Sequence, residues 1–116
     1  MEKLVTIDGQ QIRLVATGGC LRLYKLQFRR DMLKDLFKLK ALEKYIVDGK
    51  FQADDETIAK VDFEVFADVL WTFAKKGNPE TPTPMEWEDQ FTTIPFVKLY
   101  PEITELLYAL LDGQKK

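Results

Sequence analysis

Histidine is missing from this chain of 116 residues, and cysteine occurs only once. The lack of histidine excludes His-ligated metal sites, Ser-His-Asp triads and Cys-His pairs. The single cysteine, Cys20, excludes an intramolecular disulfide and favours a reducing, cytosolic setting. We expect Cys20 to be a small buried hydrophobic residue, because no histidine is present to activate its thiol.

Long apolar runs are missing too. No stretch approaches the ~20 residues that span a bilayer, and no basic segment followed by an apolar run opens the chain. We therefore expect neither membrane insertion nor export by a signal peptide. The composition, 46% hydrophobic and 12% aromatic residues, is sufficient for one domain over residues 1–116 that needs no metal, disulfide or cofactor.

Charge is distributed unevenly along the chain. Residues 1–50 hold 11 Lys and Arg against 6 Asp and Glu, whereas residues 51–112 hold 4 against 13. The two halves could pair within a molecule or head to tail between copies, which would allow self-association. Two independently solvated faces are the alternative interpretation.

The first segment predicts a β-hairpin over residues 2–16. Alternating residue types surround Asp8-Gly9, a dipeptide that favours a tight two-residue turn. We expect Leu4, Ile7, Ile12 and Val15 to dock onto helices, since an isolated hairpin is marginal in water.

Helical periodicity then extends from Leu21 to Val47, with a short break at Arg29-Arg30, where Asp31 caps a second helix, and a stop at Asp48-Gly49. Lysine and arginine are frequent here, but Asp31, Asp35 and Glu43 occur at spacings that favour local ion pairs. With a pI near 5.2, the chain is not predicted to bind nucleic acid.

The segment from Val61 to Lys76 has more apolar surface than one core-facing stripe needs. Its apolar residues cover roughly two-thirds of the helix circumference, where a surface helix needs a stripe a little over ~100° wide. We expect one helix that begins near Asp54 and ends at Lys75-Lys76, with Gly77 as its C-cap. It is predicted to be chiefly the centre of the bundle and secondarily a binding face.

Three prolines make residues 78–84 a stiff connector. Thr83-Pro84-Met85-Glu86 then predicts a capping box and a short helix as far as Phe91. A last helix is expected from Pro95 to Leu111, with Pro101 starting a new segment or bending it. The predicted fold is therefore mainly α: a small bundle of four to five helices over residues 20–112, an N-terminal hairpin, and a flexible tail over residues 113–116.

Carboxylates are the only candidates for catalysis or metal binding. Asp54-Asp55 and the group Glu86, Glu88 and Asp89 could in principle pair as acid and base or hold a divalent cation. They lie at helix starts and on a polar face, where capping and solvation account for them. We predict that the protein is not an enzyme.

The order of these segments resembles a known family. The stretches TIDGQQIRLVATGG, LRLYKLQFRRDMLKDLFKL, DFEVFADVLWTFAKK, TPMEWEDQF and PFVKLYPEITELL, which together extend from about Leu4 to Leu111, look like the tail assembly chaperones of long-tailed, siphovirus-type phages and prophages of Gram-positive bacteria. One position departs from the pattern. Relatives have a glycine near F-G-x-D where this chain has Phe28-Arg29-Arg30-Asp31, which favours a more continuous helix at that point.

The resemblance implies a small, mainly helical, non-catalytic protein of the bacterial host's cytoplasm. It would bind the aggregation-prone tape measure protein, help tail tube subunits assemble around it, and leave before the tail is mature. Many such phages also make a longer, frameshifted form with an added domain, which would contact the tail tube protein. The terminal Gln114-Lys115-Lys116 fits an A-rich slippery run, and we expect this chain to be the unshifted product.

Partner binding is predicted for aromatic and apolar residues on two helices, because aromatic side chains dominate binding hot spots. The predicted contacts are Val65, Val69, Trp71, Trp87 and Phe91. The alternative interpretation is that most of them are ordinary core.

Two other classes of function stay open. The first is a structural tail or connector component that persists in the virion. The second is a bacterial adaptor or regulatory module that uses the Trp71 or Trp87 surface to bind a partner protein.

Overall fold

The structure, a computed structural model, describes residues 1–112 and is mainly helical, with a β-hairpin at the N-terminus. In chain order its elements are β1 (Glu2–Ile7), β2 (Gln10–Val15), α1 (Gly19–Phe28), α2 (Met32–Lys40), a 3₁₀ turn (Glu43–Tyr45), β3 (Ile46–Val47), β4 (Lys50–Phe51), α3 (Asp55–Lys60), α4 (Phe63–Gly77), α5 (Pro84–Glu88) and α6 (Phe96–Asp112). The predicted mainly α class with an N-terminal hairpin is confirmed. The predicted tail, residues 113–116, lies outside the described residues.

The N-terminal hairpin turns at Asp8-Gly9, where φ is +53° and +81°, as a type I′ turn requires. Val5, Ile7 and Leu14 are buried, whereas Leu4 faces solvent. The expectation that Leu4 docks onto the helices is wrong, because side chains alternate along a strand and Val5 and Ile7 occupy the inward positions.

The centre of the fold is α4. Every residue from Asp68 to Ala74 is buried, and β2, α1, α2, α5 and α6 all pack against this helix. Because neighbours cover these central residues, most of the wide apolar arc of the sequence is accounted for, although Phe63 at the start of the helix is 38% exposed. The prediction that this helix is the centre of the bundle is confirmed.

The single helix expected from Asp54 to Lys76 is two helices. Asp54 caps α3 by accepting a hydrogen bond from the Thr57 amide at 2.7 Å, as predicted, but Val61 is extended. Asp62 then caps α4 by accepting bonds from the Glu64 and Val65 amides at 3.2 and 3.4 Å. A β-branched residue followed by a strong N-cap competes with helix continuation. The described residues therefore form six α-helices instead of four to five.

A second small hairpin was not predicted. β3 and β4 pair antiparallel around Asp48-Gly49, where φ is +53° and +75°. The expectation of a helix as far as Val47 is wrong because α2 ends at Lys40. Asp48-Gly49 is therefore a hairpin turn like Asp8-Gly9, and not a helix stop.

Gly77 is needed where α4 meets the N-terminal hairpin. A Cβ atom at this position would overlap the Arg13 carbonyl of β2, and Arg13 Nη1 donates a hydrogen bond to the Gly77 carbonyl at 3.0 Å. Asn78 holds the C-cap position that we had expected for Gly77. The glycine thus permits a close approach of backbones.

The C-terminal helices differ from the predictions in detail. α5 begins at Pro84 as expected but ends at Glu88, and the Thr83 hydroxyl donates to the Glu86 carboxylate at 3.0 Å instead of capping the helix. α6 passes through Pro101 without starting a new segment. Pro101 is exposed and gives up one helix hydrogen bond. Among residues 1–112, no helix is both long and apolar enough to span a membrane.

Candidate binding face on helices α1 and α2

The five residues predicted to bind a partner are all in the core. Val65, Val69 and Trp71 on α4 are at most 2% exposed, and Trp87 and Phe91 are 4% and 7% exposed. The expectation of an exposed edge is therefore corrected in favour of the alternative interpretation. With the chain folded in this way, these side chains offer almost no surface to a partner.

Trp71 shows how the edge is covered. The Phe28 ring of α1 packs edge-on against it, with 5.7 Å between ring centroids. The Trp71 indole nitrogen donates a hydrogen bond to the Pro82 carbonyl at 2.8 Å, so the proline-rich connector folds back over the helix. Trp87 and Phe91 share one face as predicted, with centroids 5.0 Å apart, and that face is directed inward.

A partly buried charged network joins α1 and α2 to α4. Arg30, in the turn between α1 and α2, donates to Asp35 Oδ2 at 2.8 Å and to Asp68 Oδ2 at 2.5 Å. The Tyr24 hydroxyl of α1 donates to Asp35 Oδ2 at 2.5 Å. Every buried side-chain nitrogen or oxygen in the described part of the chain has a hydrogen-bond partner. One guanidinium thus fixes how the α1–α2 pair lies on the central helix.

The pKa values of the two carboxyl groups in this network are shifted in opposite directions. Burial favours the neutral form of Asp35, but hydrogen bonds from Arg30 and Tyr24 outweigh it and lower the pKa of this carboxyl. Burial raises the pKa of Asp68, and Arg30 offsets that effect only in part. Burial also raises the pKa of the Tyr24 hydroxyl, with its hydrogen bond to Asp35 as the second cause. Tyr24 therefore stays a neutral donor over the ordinary pH range.

The turn between the two helices has an unusual backbone. Arg29 is in the left-handed region, with φ +59° and ψ +29°, and its amide donates to the Lys25 carbonyl at 2.9 Å. Asp31 then caps α2 by accepting a bond from the Leu33 amide at 2.8 Å. The expectation of a more continuous helix is wrong. Arg29 takes the conformation that glycine adopts most readily at a helix end.

The outward sides of α1 and α2 expose large apolar side chains. Leu26 is 69% exposed, Leu33 41% and Phe37 71%. Leu33 and Phe37 lie one turn apart on the same side of α2, and Leu26 and Leu33 line the same groove between the helices. We call these three residues, with the cations around them, the α1–α2 face.

The exposed charges between Gly19 and Lys40 are all positive. Of the two acids in this stretch, Asp35 is buried, and Asp31 is half-buried at its capping position, where it lines the groove between the helices. The six exposed cations are Arg22, Lys25, Arg29, Lys34, Lys38 and Lys40. The local ion pairing expected from the sequence is met in part, because Lys38 lies 3.6 Å from Asp35. Asp35 makes that contact from the buried side, however, so the surface is more basic than the sequence spacing indicates.

The groove has a volume of about 570 Å³. Leu21, Leu26, Met32 and Leu33 give it an apolar lining, and its charged lining residues are Arg22, Lys25 and Asp31. A second hollow of about 590 Å³ lies between α2 and α3, but its largest aliphatic side chain, Leu42, is already buried in the core. The first groove thus combines open apolar side chains with two exposed cations, Arg22 and Lys25, and one capping carboxylate, Asp31.

The sequence of α2 carries a second apolar stripe that predicts this face. α2 carries two apolar stripes: Met32, Leu36 and Leu39 are buried, while Leu33 and Phe37 lie on another side. The surplus-surface argument made for Val61 to Lys76 applies to this shorter helix as well. Both helices have more apolar surface than one buried stripe needs, but spacing alone does not tell which of the two surfaces the rest of the fold covers.

The described residues offer little for catalysis or metal binding. Cys20 is fully buried, as expected, and burial raises the pKa of its thiol. Within residues 1–112, no group of His, Cys, Asp and Glu side chains could hold a metal ion. The exposed apolar and basic side chains of the α1–α2 face make it the candidate functional surface.

Comparisons of the chain with models of protein families, with curated proteins and with solved structures found no match. The argument for function therefore depends on the α1–α2 face and on the order of the sequence segments.

Proposed function

We propose that this protein is a non-catalytic chaperone of tail assembly in a long-tailed phage. It binds the tape measure protein in the cytoplasm of the bacterial host, keeps it competent for tube assembly, and is absent from the mature virion. A longer frameshifted form would bring in the tail tube protein. The observation that carries the proposal is the α1–α2 face, where exposed Leu26 and Leu33 line one groove and exposed Phe37 lies one turn along α2 from Leu33.

A chaperone of this kind needs open apolar surface on an otherwise well-formed domain. Single exposed hydrophobic residues are normal on soluble proteins, whereas neighbouring ones mark interaction sites. Here the core is closed around the central part of α4, and three of the large apolar side chains that stay exposed, Leu26, Leu33 and Phe37, lie on one pair of helices. The cations around them keep the free protein soluble and discourage contact between two such faces.

The proposal is tested by co-expressing this chain with the tape measure protein of the same genome. We expect the tape measure protein to be recovered in the soluble fraction together with the tagged chaperone, and to aggregate when it is expressed alone. If tape measure protein is equally soluble alone, and is not captured, the proposal is wrong. The gene should also lie between those of the major tail protein and a very long tape measure protein.

Mass spectrometry of purified virions separates a chaperone from a structural tail component. We expect peptides of the major tail protein and none of this chain. Detection of this chain at the copy number of a tail subunit would favour the structural alternative.

A further inference from the structure

We propose that the α1–α2 face binds an amphipathic α-helix that carries acidic side chains beside its apolar stripe. The inference depends on the proposed chaperone function only for which protein supplies that helix. It assigns a binding site and a partner chemistry to residues that lie outside the core.

The shape of the groove favours a helix. α1 lines the groove from its N-cap Gly18 to Leu26, which is about 12 Å at 1.5 Å per residue, and α2 contributes its N-terminal turn with Met32 and Leu33. A helix that enters it would present apolar residues at positions i, i+3 or i+4, and i+7, which span roughly 10 Å. Leu26 and Leu33 would contact these side chains from either helix, and Phe37 would extend the contact along α2.

The charge of the face indicates which residues should lie beside the apolar stripe of the partner helix. Arg22 and Lys25 on α1 and Lys34 on α2 are exposed beside the apolar residues. The carboxylate of Asp31, which also lines the groove, is engaged with the Leu33 amide. Acidic residues on both sides of the incoming apolar stripe would therefore meet positive charge, whereas a basic helix would be repelled.

Two other anionic partners fit less well. Nucleic acid binds through its phosphates and would leave Leu26 and Phe37 exposed to water, so these residues would add nothing. An anionic membrane presents a flat surface and would not fill a concave groove lined by half-buried Leu21. A helix covers the apolar side chains and uses the cations at the same time.

The test uses a fluorescent peptide of about 18 residues, which is long enough to form a helix on binding. It carries leucine at the i, i+3, i+4 and i+7 spacing and glutamate beside it. One control peptide has the same composition with its apolar stripe scrambled, and another has lysine in place of glutamate. Fluorescence anisotropy should show binding of the striped acidic peptide alone. Equal binding of the scrambled or basic peptide, or no binding up to about 1 mM, would overturn the proposal.

Variants of the full chain locate the site. Phe37→Ser and Leu26→Ser should each weaken binding about tenfold, as expected for hot-spot residues, while Met85→Ser should not. Met85 is the matched control because it is 74% exposed and lies on α5. Lys25→Glu should weaken binding several-fold and should lose that effect as salt is raised, because exposed charges are screened; Lys50→Glu on β4 is its control. If Met85→Ser weakens binding as much as Phe37→Ser, the face is wrongly assigned.

Other occupants would show themselves in the same set of measurements. Co-sedimentation with vesicles of anionic phospholipid, or a shift of a DNA or RNA oligonucleotide, in the absence of peptide binding would overturn the proposal. Self-association that Phe37→Ser abolishes, again without peptide binding, would assign the face to a second copy of the chain. If tape measure protein is captured equally by the wild-type chain and by Phe37→Ser, the chaperone function stands and this inference fails. If the acidic peptide binds but tape measure protein is not captured, this inference stands and the proposed chaperone function fails.

Discussion

α4 and the α1–α2 pair both carry more apolar side chains than one buried stripe needs, and the fold treats them in opposite ways. α4 is covered along residues 68–74 by the hairpin and by other helices, so that even Trp71 is 2% exposed. α1 and α2 use one side each against α4 and leave Leu26, Leu33 and Phe37 open. Apolar surplus therefore indicates either a central helix or a binding face, and the neighbours in the fold decide which.

The largest difference between the two regions should appear when Trp71 is truncated. Trp71→Ala removes a buried indole, its contact with Phe28 and its hydrogen bond to Pro82. We expect a loss of about 3–5 kcal/mol in the free energy of unfolding, which urea denaturation would measure. A loss below about 1 kcal/mol would mean that Trp71 is not a core residue and would undo the comparison.

A similar loss is expected where the two regions are joined. Arg30→Met removes the guanidinium that pairs with Asp35 and Asp68, which leaves Asp68 without its cation and Asp35 with only the Lys38 contact at 3.6 Å. We expect a cost of about 3 kcal/mol, part of which should return when Asp68→Asn is added. Arg29→Met is the matched control, since Arg29 is the exposed neighbour, and it should change stability by no more than about 0.5 kcal/mol. Equal effects of the two variants would show that the network does not hold the helix pair in place.

High pH should lower the free energy of unfolding by a smaller amount. Burial raises the pKa of Tyr24 above its ordinary value of 10.0, and burial raises the pKa of Tyr100 to about 12. A raised pKa in the folded state contributes stability that is complete below the unfolded pKa and is lost as pH rises. The free energy of unfolding should therefore fall above pH ~10, by up to about 1.4 kcal/mol per pH unit for each tyrosine. Denaturation of Tyr24→Phe and of the wild type at a series of alkaline pH values checks this, and an identical slope for both would contradict it.

The smallest effect on stability is expected on the α1–α2 face. Phe37→Ser alters a side chain that is 71% exposed, so the free energy of unfolding should change by no more than about 0.5 kcal/mol. Urea denaturation should give the same midpoint as for Met85→Ser. A loss of more than about 2 kcal/mol would place Phe37 in the core and remove the contrast with Trp71.

Local signals in the sequence predict much of the fold, as particular residues show. Asp8-Gly9 specifies the first hairpin, Asp54 caps a helix as expected, and the apolar arc of Val61 to Lys76 correctly identifies the central helix. The split at Val61-Asp62 was missed because helical periodicity continues across it while a cap residue ends it locally. At Asp48-Gly49 the same dipeptide was assigned to a helix stop, since both structures need positive φ.

The candidate site was less predictable than the fold. Helical spacing places Leu33 and Phe37 on one side of α2 but does not tell whether another element covers them. Asp35 looked like a surface partner for lysines, yet it turns inward to Arg30 and Tyr24, a contact that depends on how three helices meet. Tertiary packing thus determined both the exposed apolar residues and the excess of exposed positive charge around them.

Hydrogen–deuterium exchange of the protein alone and bound to the tape measure protein tests the central claim most directly. The account predicts that binding adds protection in residues 19–40, on α1 and α2, and leaves residues 68–74 of α4 unchanged, because the fold already protects them. Added protection or new exposure in α4, with residues 19–40 unaltered, would contradict it.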